Sequence, residues 1–288
     1  MTTWADGYWW SNDGVRLHYR DYPGDAARPP IICLPGLTRN ARDFHEIASD
    51  LSSAGWRVIA VDLRGRGESG YAKDPLSYTP LTYLQDVEAL VAELALPRFV
   101  LFGTSLGGIL TMLLSATGAE RIAGALLNDI GPALMPGGLA RIRTYVGKSS
   151  SYPTWLHAAR AVAEVQAVAH PKWDIEQWLA QAKRLCRLTP AGRIVFDYDM
   201  KIAEPFRLPG GEAGVDLWPA FDSLKGTPVL LVRGALTDLL SSDTVREMER
   251  RLPQMETVEV PDAGHTPTLD EPMVREAIAR LLERVEAR

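Results

Sequence analysis

Gly103-Thr104-Ser105-Leu106-Gly107 sets a serine two residues from a glycine on either side. That spacing is the nucleophile-elbow pattern, in which a serine on a sharp strand-to-helix turn has its hydroxyl raised above a sheet. Bulk two residues before or after would clash, so glycine suits both places. The flanks agree. Val100-Leu101-Phe102 reads as a short buried strand, and Ile109 to Ala116 as an apolar helix whose N-terminus favours a developing anion. Serine is a weak nucleophile at neutral pH. It needs a base within hydrogen-bond reach, and the base needs an orienting acid. His265, in Asp262-Ala263-Gly264-His265, is the candidate base, because no other histidine stands at the end of a strand-like run. An elbow serine takes its acid from between serine and histidine in the chain. Asp238, four residues after Gly234, is the first choice, and Asp129, just after the run Ala123 to Leu127, is the alternative. Asp262 lies too close to His265 for that role and is expected to brace the histidine loop.

A tetrahedral intermediate also needs hydrogen-bond donors for its oxyanion. The buried run Ile31-Ile32-Cys33-Leu34 ends in Pro35-Gly36-Leu37, where the backbone can turn its N–H groups toward a site. The Leu37 N–H and the Leu106 N–H, directly after the serine, are the expected donors. With Ser105 attacking an acyl carbon and His265 moving the proton, the reaction needs no metal or organic cofactor. Arg39 either lines the pocket or pairs with a neighbour, with a slight preference for the structural role.

The elements that must position these groups follow from pattern. Apolar runs at 31–34, 58–61, 100–102, 123–127, 229–232 and 257–260 alternate with helical periods, which predicts a mostly parallel, doubly wound α/β sheet. Ligands bind such sheets at the carboxyl ends of the strands. Leu37, Ser105, Asp129, Asp238 and His265 all fall just past such ends. Tyr8 to Tyr22 reads as an opening hairpin around Asn12-Asp13-Gly14, with His18 on its polar phase and so at the surface. Asp62-Leu63-Arg64-Gly65-Arg66-Gly67 reads as a tight loop held by carboxylate–guanidinium pairing, with Asp62 structural. From Leu134 strand signals stop and helices over Trp155–Ala169 and Asp174–Leu188 take over. This predicts a helical cap at 134–213, inserted between core segments 1–133 and 214–288. The cap carries more Lys and Arg than Asp and Glu, on an acidic body.

Composition sets the outer limits. The 288 residues are 46% hydrophobic and 23% charged, enough for a sizeable core. A net charge of −5 gives no support for nucleic-acid binding. The two cysteines, Cys33 and Cys186, form no metal or disulfide pattern and read as small buried hydrophobes in a reducing compartment. Met1 to Trp10 lacks the basic start and apolar run of a signal peptide, and no stretch is apolar enough to span a bilayer. A cytoplasmic protein acting on a small molecule, with no membrane partner, is expected; the oligomeric state is not legible.

Taken together, Leu34-Pro35-Gly36-Leu37, the Asp62 to Ser69 loop, Gly103 to Gly108, Gly234 with Asp238, and Gly264-His265 resemble the α/β-hydrolase superfamily over essentially the whole length. Gly36-Leu37-Thr38-Arg39-Asn40, Asn128-Asp129-Ile130-Gly131-Pro132 and Asp216-Leu217-Trp218-Pro219 are similar to a bacterial subgroup of hydrolases. Many members carry His-Gly at the oxyanion turn, where this chain has Pro35-Gly36. The resemblance implies hydrolysis of a carboxylic ester or lactone through a Ser-His-Asp triad. It leaves open carbon–carbon hydrolysis of a ring-cleavage product by the same triad, or a receptor that binds ligand with slow turnover. It disfavours dehalogenase or epoxide-hydrolase chemistry, which needs aspartate at position 105.

Overall fold

The computed structural model describes residues 3–207 and 216–288. In chain order the elements are β1 (Ala5–Trp10), β2 (Arg16–Tyr22), β3 (Ile31–Leu34), α1 (His45–Ser53), β4 (Val58–Asp62), α2 (Pro80–Glu93), β5 (Phe99–Thr104), α3 (Leu106–Gly118) and β6 (Ile122–Asn128). An inserted segment follows, with α4 (Pro136–Tyr145), β7 (Ser151–Tyr152), α5 (Trp155–Gln166), α6 (Ile175–Leu185), β8 (Cys186–Leu188) and β9 (Ile194–Phe196). The chain then closes with α7 (Trp218–Asp222), β10 (Val229–Gly234), α8 (Ser242–Arg251), β11 (Glu256–Val260) and α9 (Pro272–Glu286).

Eight strands form one sheet in the order β1-β2-β4-β3-β5-β6-β10-β11. Only β1 and β2 run antiparallel to their neighbours; every pairing from β4 to β11 is parallel. The central strands are apolar on both faces because helices cover both. Ile32 and Leu34 face one core with Val87 of α2, Leu110 of α3 and Met248 of α8. Ile31 and Cys33 face the other, with Ile47 of α1 and Ile278 of α9. This two-residue alternation is what a strand buried on both sides must show. The order also fixes where a ligand can bind. From β3 the chain goes to β4 on one side, then crosses to β5 on the other, so a crevice opens beyond the carboxyl ends of β3 and β5. Leu34 and Thr104 are those ends, so Leu37 and Ser105 flank the crevice.

Two local expectations change. The inserted segment is not purely helical: β7, β9 and β8 form a small antiparallel sheet. Strands of two or three residues are too short to leave an alternating pattern. The boundary placed at 213–214, like residues 1–2, lies outside the described residues. His18 is not a surface histidine either. It is buried, with Nδ1 2.7 Å from Asp62 and Nε2 3.0 Å from Asp6. Asp62 is structural as expected from its loop, with this histidine as its partner on the antiparallel side of the sheet rather than in the crevice. Arg64 is paired as the loop pattern suggested, but its partners are distant in sequence: Asp86 of α2 and Asp13 of the hairpin turn.

The His18 cluster makes stability depend on pH. Burial alone would push the imidazole pKa down, but the Asp62 and Asp6 carboxylates outweigh it and leave the pKa raised. A raised folded-state pKa stabilises fully below the unfolded value near 6.5, and the gain is lost as pH rises through the folded value. The Tm gap between the wild type and His18→Gln is therefore expected to be widest near pH 6 and to narrow by pH 9. A contribution of about 1 kcal/mol corresponds to about 2–4 °C. A gap that stays flat across that range, measured by circular dichroism, would count against the ionic clamp.

No helix among the described residues is long and apolar enough to cross a membrane.

Candidate active site

Ser105 sits between β5 and α3 with φ 52° and ψ −112°, in the left-handed region that non-glycine residues avoid. Close packing enforces the turn. A Cβ on Gly107 would lie 1.9 Å from the Leu34 carbonyl oxygen, and one on Gly103 would lie 2.4 Å from the Gly107 oxygen. The two elbow glycines are therefore required by approach: α3 starts directly against the end of β3.

Ser105 Oγ lies 2.8 Å from His265 Nε2. His265 Nδ1 lies 2.8 Å from Asp129 Oδ2, not from Asp238. Asp129 is fully buried at the end of β6, itself at positive φ. Its other bonds hold the carboxylate still. Oδ1 accepts from the Gly234 N–H at 2.9 Å, and Oδ2 also accepts from the Thr237 hydroxyl at 2.6 Å. The expected pairing of His265 with Asp238 is not formed; the carboxylate on the histidine is that of the alternative, Asp129. The loop after β10 supports Asp129 through the Gly234 N–H and the Thr237 hydroxyl. The Asp238 carboxylate turns instead to Arg141 of α4, in two parallel hydrogen bonds of 2.5 and 2.8 Å. The Arg141 guanidinium holds Asp238 below the usual carboxylate range. The histidine reaches from β11 across β10 and β6 to the serine on β5, and β6 is the strand nearer the serine.

The two expected oxyanion donors also sit at the crevice. Leu106 is the first residue of α3, whose leading N–H groups have no intrahelical acceptor. Gly36 is pressed against the serine, since its Cβ would stand 3.7 Å from Ser105 Cβ. The Gly36 carbonyl accepts from the Arg39 N–H at 3.1 Å. Because the peptide is planar and trans, the Leu37 N–H on the other end of it points the opposite way.

The histidine loop is held from two sides. Asn128 donates to the Pro267 carbonyl at 3.0 Å and to Thr104 at 3.2 Å. From the inserted segment, the Ala169 carbonyl accepts from the Gly264 N–H at 2.6 Å, and Lys172 pairs with Asp262 at 2.8 Å. Asp262 therefore braces the loop against the insertion. The neighbouring His170 is buried and stacked on Trp173, with ring centroids 3.8 Å apart. Burial, with Arg39 nearby, lowers its pKa to about 4, so it is neutral at physiological pH.

A cavity of about 80 Å³ opens onto Ser105 and His265. Leu37, Thr38 and Arg39 close one side, and Arg141, Tyr145, His170, Gln181 and Arg184 of the inserted segment close the other. Arg39 fills both of its alternatives: it lines the cavity while pairing with Asp43 and reaching Gln181. Arg141, Tyr145 and Gln181 were not legible as site residues. They lie on amphipathic helices whose pattern marks a buried face without saying what it faces. The signal for Asp129 was its place directly at a strand end, with no intervening loop to carry it away.

A family model described as alpha/beta hydrolase fold matches residues 29–272. The chain is 36% identical over 267 residues to a 3-hydroxybutyrate-oligomer hydrolase of Cupriavidus necator, covering 89% of each. It is 26% identical over 259 residues to an esterase of Mycobacterium tuberculosis, covering 88% of this chain and 82% of that one. Among solved structures, an alpha/beta hydrolase from Novosphingobium aromaticivorans superposes with a TM-score of 0.94 at 55% identity, covering 99% of each chain.

Proposed function

The chain belongs to the α/β-hydrolase fold family and has hydrolase and esterase relatives; from that premise we propose that it is a serine hydrolase cleaving short, polar carboxylic esters or lactones. The observation that carries this reading is the unbroken hydrogen-bonded line Ser105–His265–Asp129 facing a cavity.

In this reading His265 Nε2 takes the Ser105 proton as Oγ attacks the acyl carbon. Asp129 fixes the ring so that Nδ1 carries the other proton, and stabilises the imidazolium that forms. The Leu37 and Leu106 N–H groups receive the oxyanion. His265 then protonates the leaving alkoxide, and water repeats the sequence on the acyl-enzyme. The inserted segment serves as a cap, because it supplies one wall of the cavity and holds the histidine loop.

The cavity favours a small polar acyl group. Arg39, Arg141, Arg184, Gln166 and Gln181 line it, where a long alkyl chain would need an apolar tunnel. A hydroxy-acid ester, such as a short 3-hydroxybutyrate oligomer, suits that lining and agrees with the relative from Cupriavidus necator. The test joins a p-nitrophenyl ester series from acetate to decanoate with 3-hydroxybutyrate dimer and trimer, and fluorophosphonate labelling of the serine. Expected are labelling at Ser105, at least tenfold preference for short over long chains, and release of 3-hydroxybutyrate. A folded protein that neither labels nor turns over any of these substrates would sink the proposal. Labelling with preference for decanoate would leave the mechanism and remove the substrate class.

A further inference from the structure

Arg66 is fully buried, yet among the described residues no carboxylate pairs with it. Burying a charge without a partner is costly. Arg64, two residues earlier and equally buried, shows the usual solution, with Asp13 and Asp86 around one guanidinium. Arg66 donates only to neutral oxygens. Its Nε and Nη2 reach the Leu37 carbonyl at 2.9 and 2.7 Å, and its Nη1 reaches the Arg64 carbonyl at 2.6 Å and the Tyr83 hydroxyl at 3.0 Å. The Tyr83 ring lies 4.7 Å from the guanidinium carbon. The paired bonds to one carbonyl fix the turn that carries the Leu37 N–H.

We propose that Arg66 is a positioning residue for the oxyanion site: it holds the Leu37 carbonyl, and its positive charge, with no carboxylate in direct contact, favours the anion that develops at the turn. The proposal rests on the serine-hydrolase reading. Its physical basis is that a fixed dipole or charge aimed at a developing oxyanion needs no reorganisation during the reaction. Arg64, by contrast, spends its guanidinium on two carboxylates. A cation held without a directly bonded carboxylate, and tied to the residue whose N–H is the expected oxyanion donor, gains attraction when the tetrahedral intermediate forms. Arg66 thus strengthens the transition state over the ground state.

The probe is a trifluoromethyl ketone against its matching secondary alcohol. Ser105 Oγ adds to the ketone carbon as its proton passes to His265, and the former carbonyl oxygen takes the negative charge; the alcohol forms no such bond. Arg66→Gln is expected to lower kcat about 100-fold on a short ester with KM within threefold. It should weaken ketone binding at least 30-fold more than alcohol binding. Arg66→Lys, which keeps the charge but not the paired bonds, should recover part of both losses. A folded Arg66→Gln with kcat within threefold and an unchanged ketone-to-alcohol ratio would overturn the proposal. Should Arg66→Gln not fold, Arg66→Lys decides on the same ratio, with a fall of fivefold or more expected and an unchanged ratio overturning it. Failure of both variants to fold would overturn it too, by making Arg66 a determinant of the fold. A wild type that binds the ketone no better than the alcohol, and takes no fluorophosphonate, would instead sink the serine-hydrolase reading itself.

Discussion

Asp129→Asn is expected to lower kcat by about 10³–10⁴-fold, while Asp238→Asn lowers it by less than about tenfold. The two residues follow neighbouring strands, and only their partners separate them. Asp129 is buried and spends its acceptors on His265, Gly234 and Thr237. An amide there must offer NH₂ at one of these places. If it faces His265, the ring turns to the tautomer that protonates Nε2, and the base is lost. If it faces Gly234, two donors oppose each other in a buried place. Asp238 is half-exposed and tied to Arg141. Removing its charge loosens α4 and frees a guanidinium at the cavity, so its effect should appear in KM more than in kcat. Steady-state kinetics on p-nitrophenyl acetate, with circular dichroism to confirm folding, decides the matter. A larger kcat loss for Asp238→Asn would return the acid to position 238.

The sheet and the serine elbow are legible in the sequence because both are written locally. Strands such as Ile31 to Leu34 are buried on both faces and so are apolar throughout. The elbow glycines are forced by contacts within one strand–turn–helix unit and its neighbouring strand. The acid was a harder question, since its choice turns on which loop bends toward the histidine and which away. Asp238, four residues beyond Gly234, is bound by Arg141 of α4, and no local pattern records that distant partner. His18 misled for a related reason. Its place in the alternation assigned it to the polar face of β2, but polar does not mean solvated when Asp62 and Asp6 meet it there. The cavity wall was the least legible part. Arg141 and His170 come from separate elements of the insertion, and their convergence on the serine depends on how that segment packs.

Ser105→Ala and Gly107→Ala should both abolish turnover, for opposite reasons. Ser105→Ala removes one oxygen from a cavity-facing side chain and leaves the elbow backbone as it is. Alanine tolerates the left-handed φ no better than serine, so the strain is unchanged and Tm should move little. Turnover should fall by about 10⁵–10⁶-fold, leaving what the oxyanion donors and binding supply without a nucleophile. Gly107→Ala keeps every catalytic atom but pushes a methyl group to 1.9 Å from the Leu34 carbonyl oxygen, with no flexible side chain to give way. Either α3 shifts or β3 does, and the proposed oxyanion donors, Leu106 and Leu37, begin α3 and follow β3. The expected cost is on the order of 3 kcal/mol of stability together with the activity. Thermal melts beside fluorophosphonate labelling separate the cases: an unchanged melt without labelling for Ser105→Ala, a lowered melt with slow labelling for Gly107→Ala. Near-normal stability and labelling in Gly107→Ala would mean that the elbow is not held against β3, and the backbone geometry on which the whole site depends would need another origin.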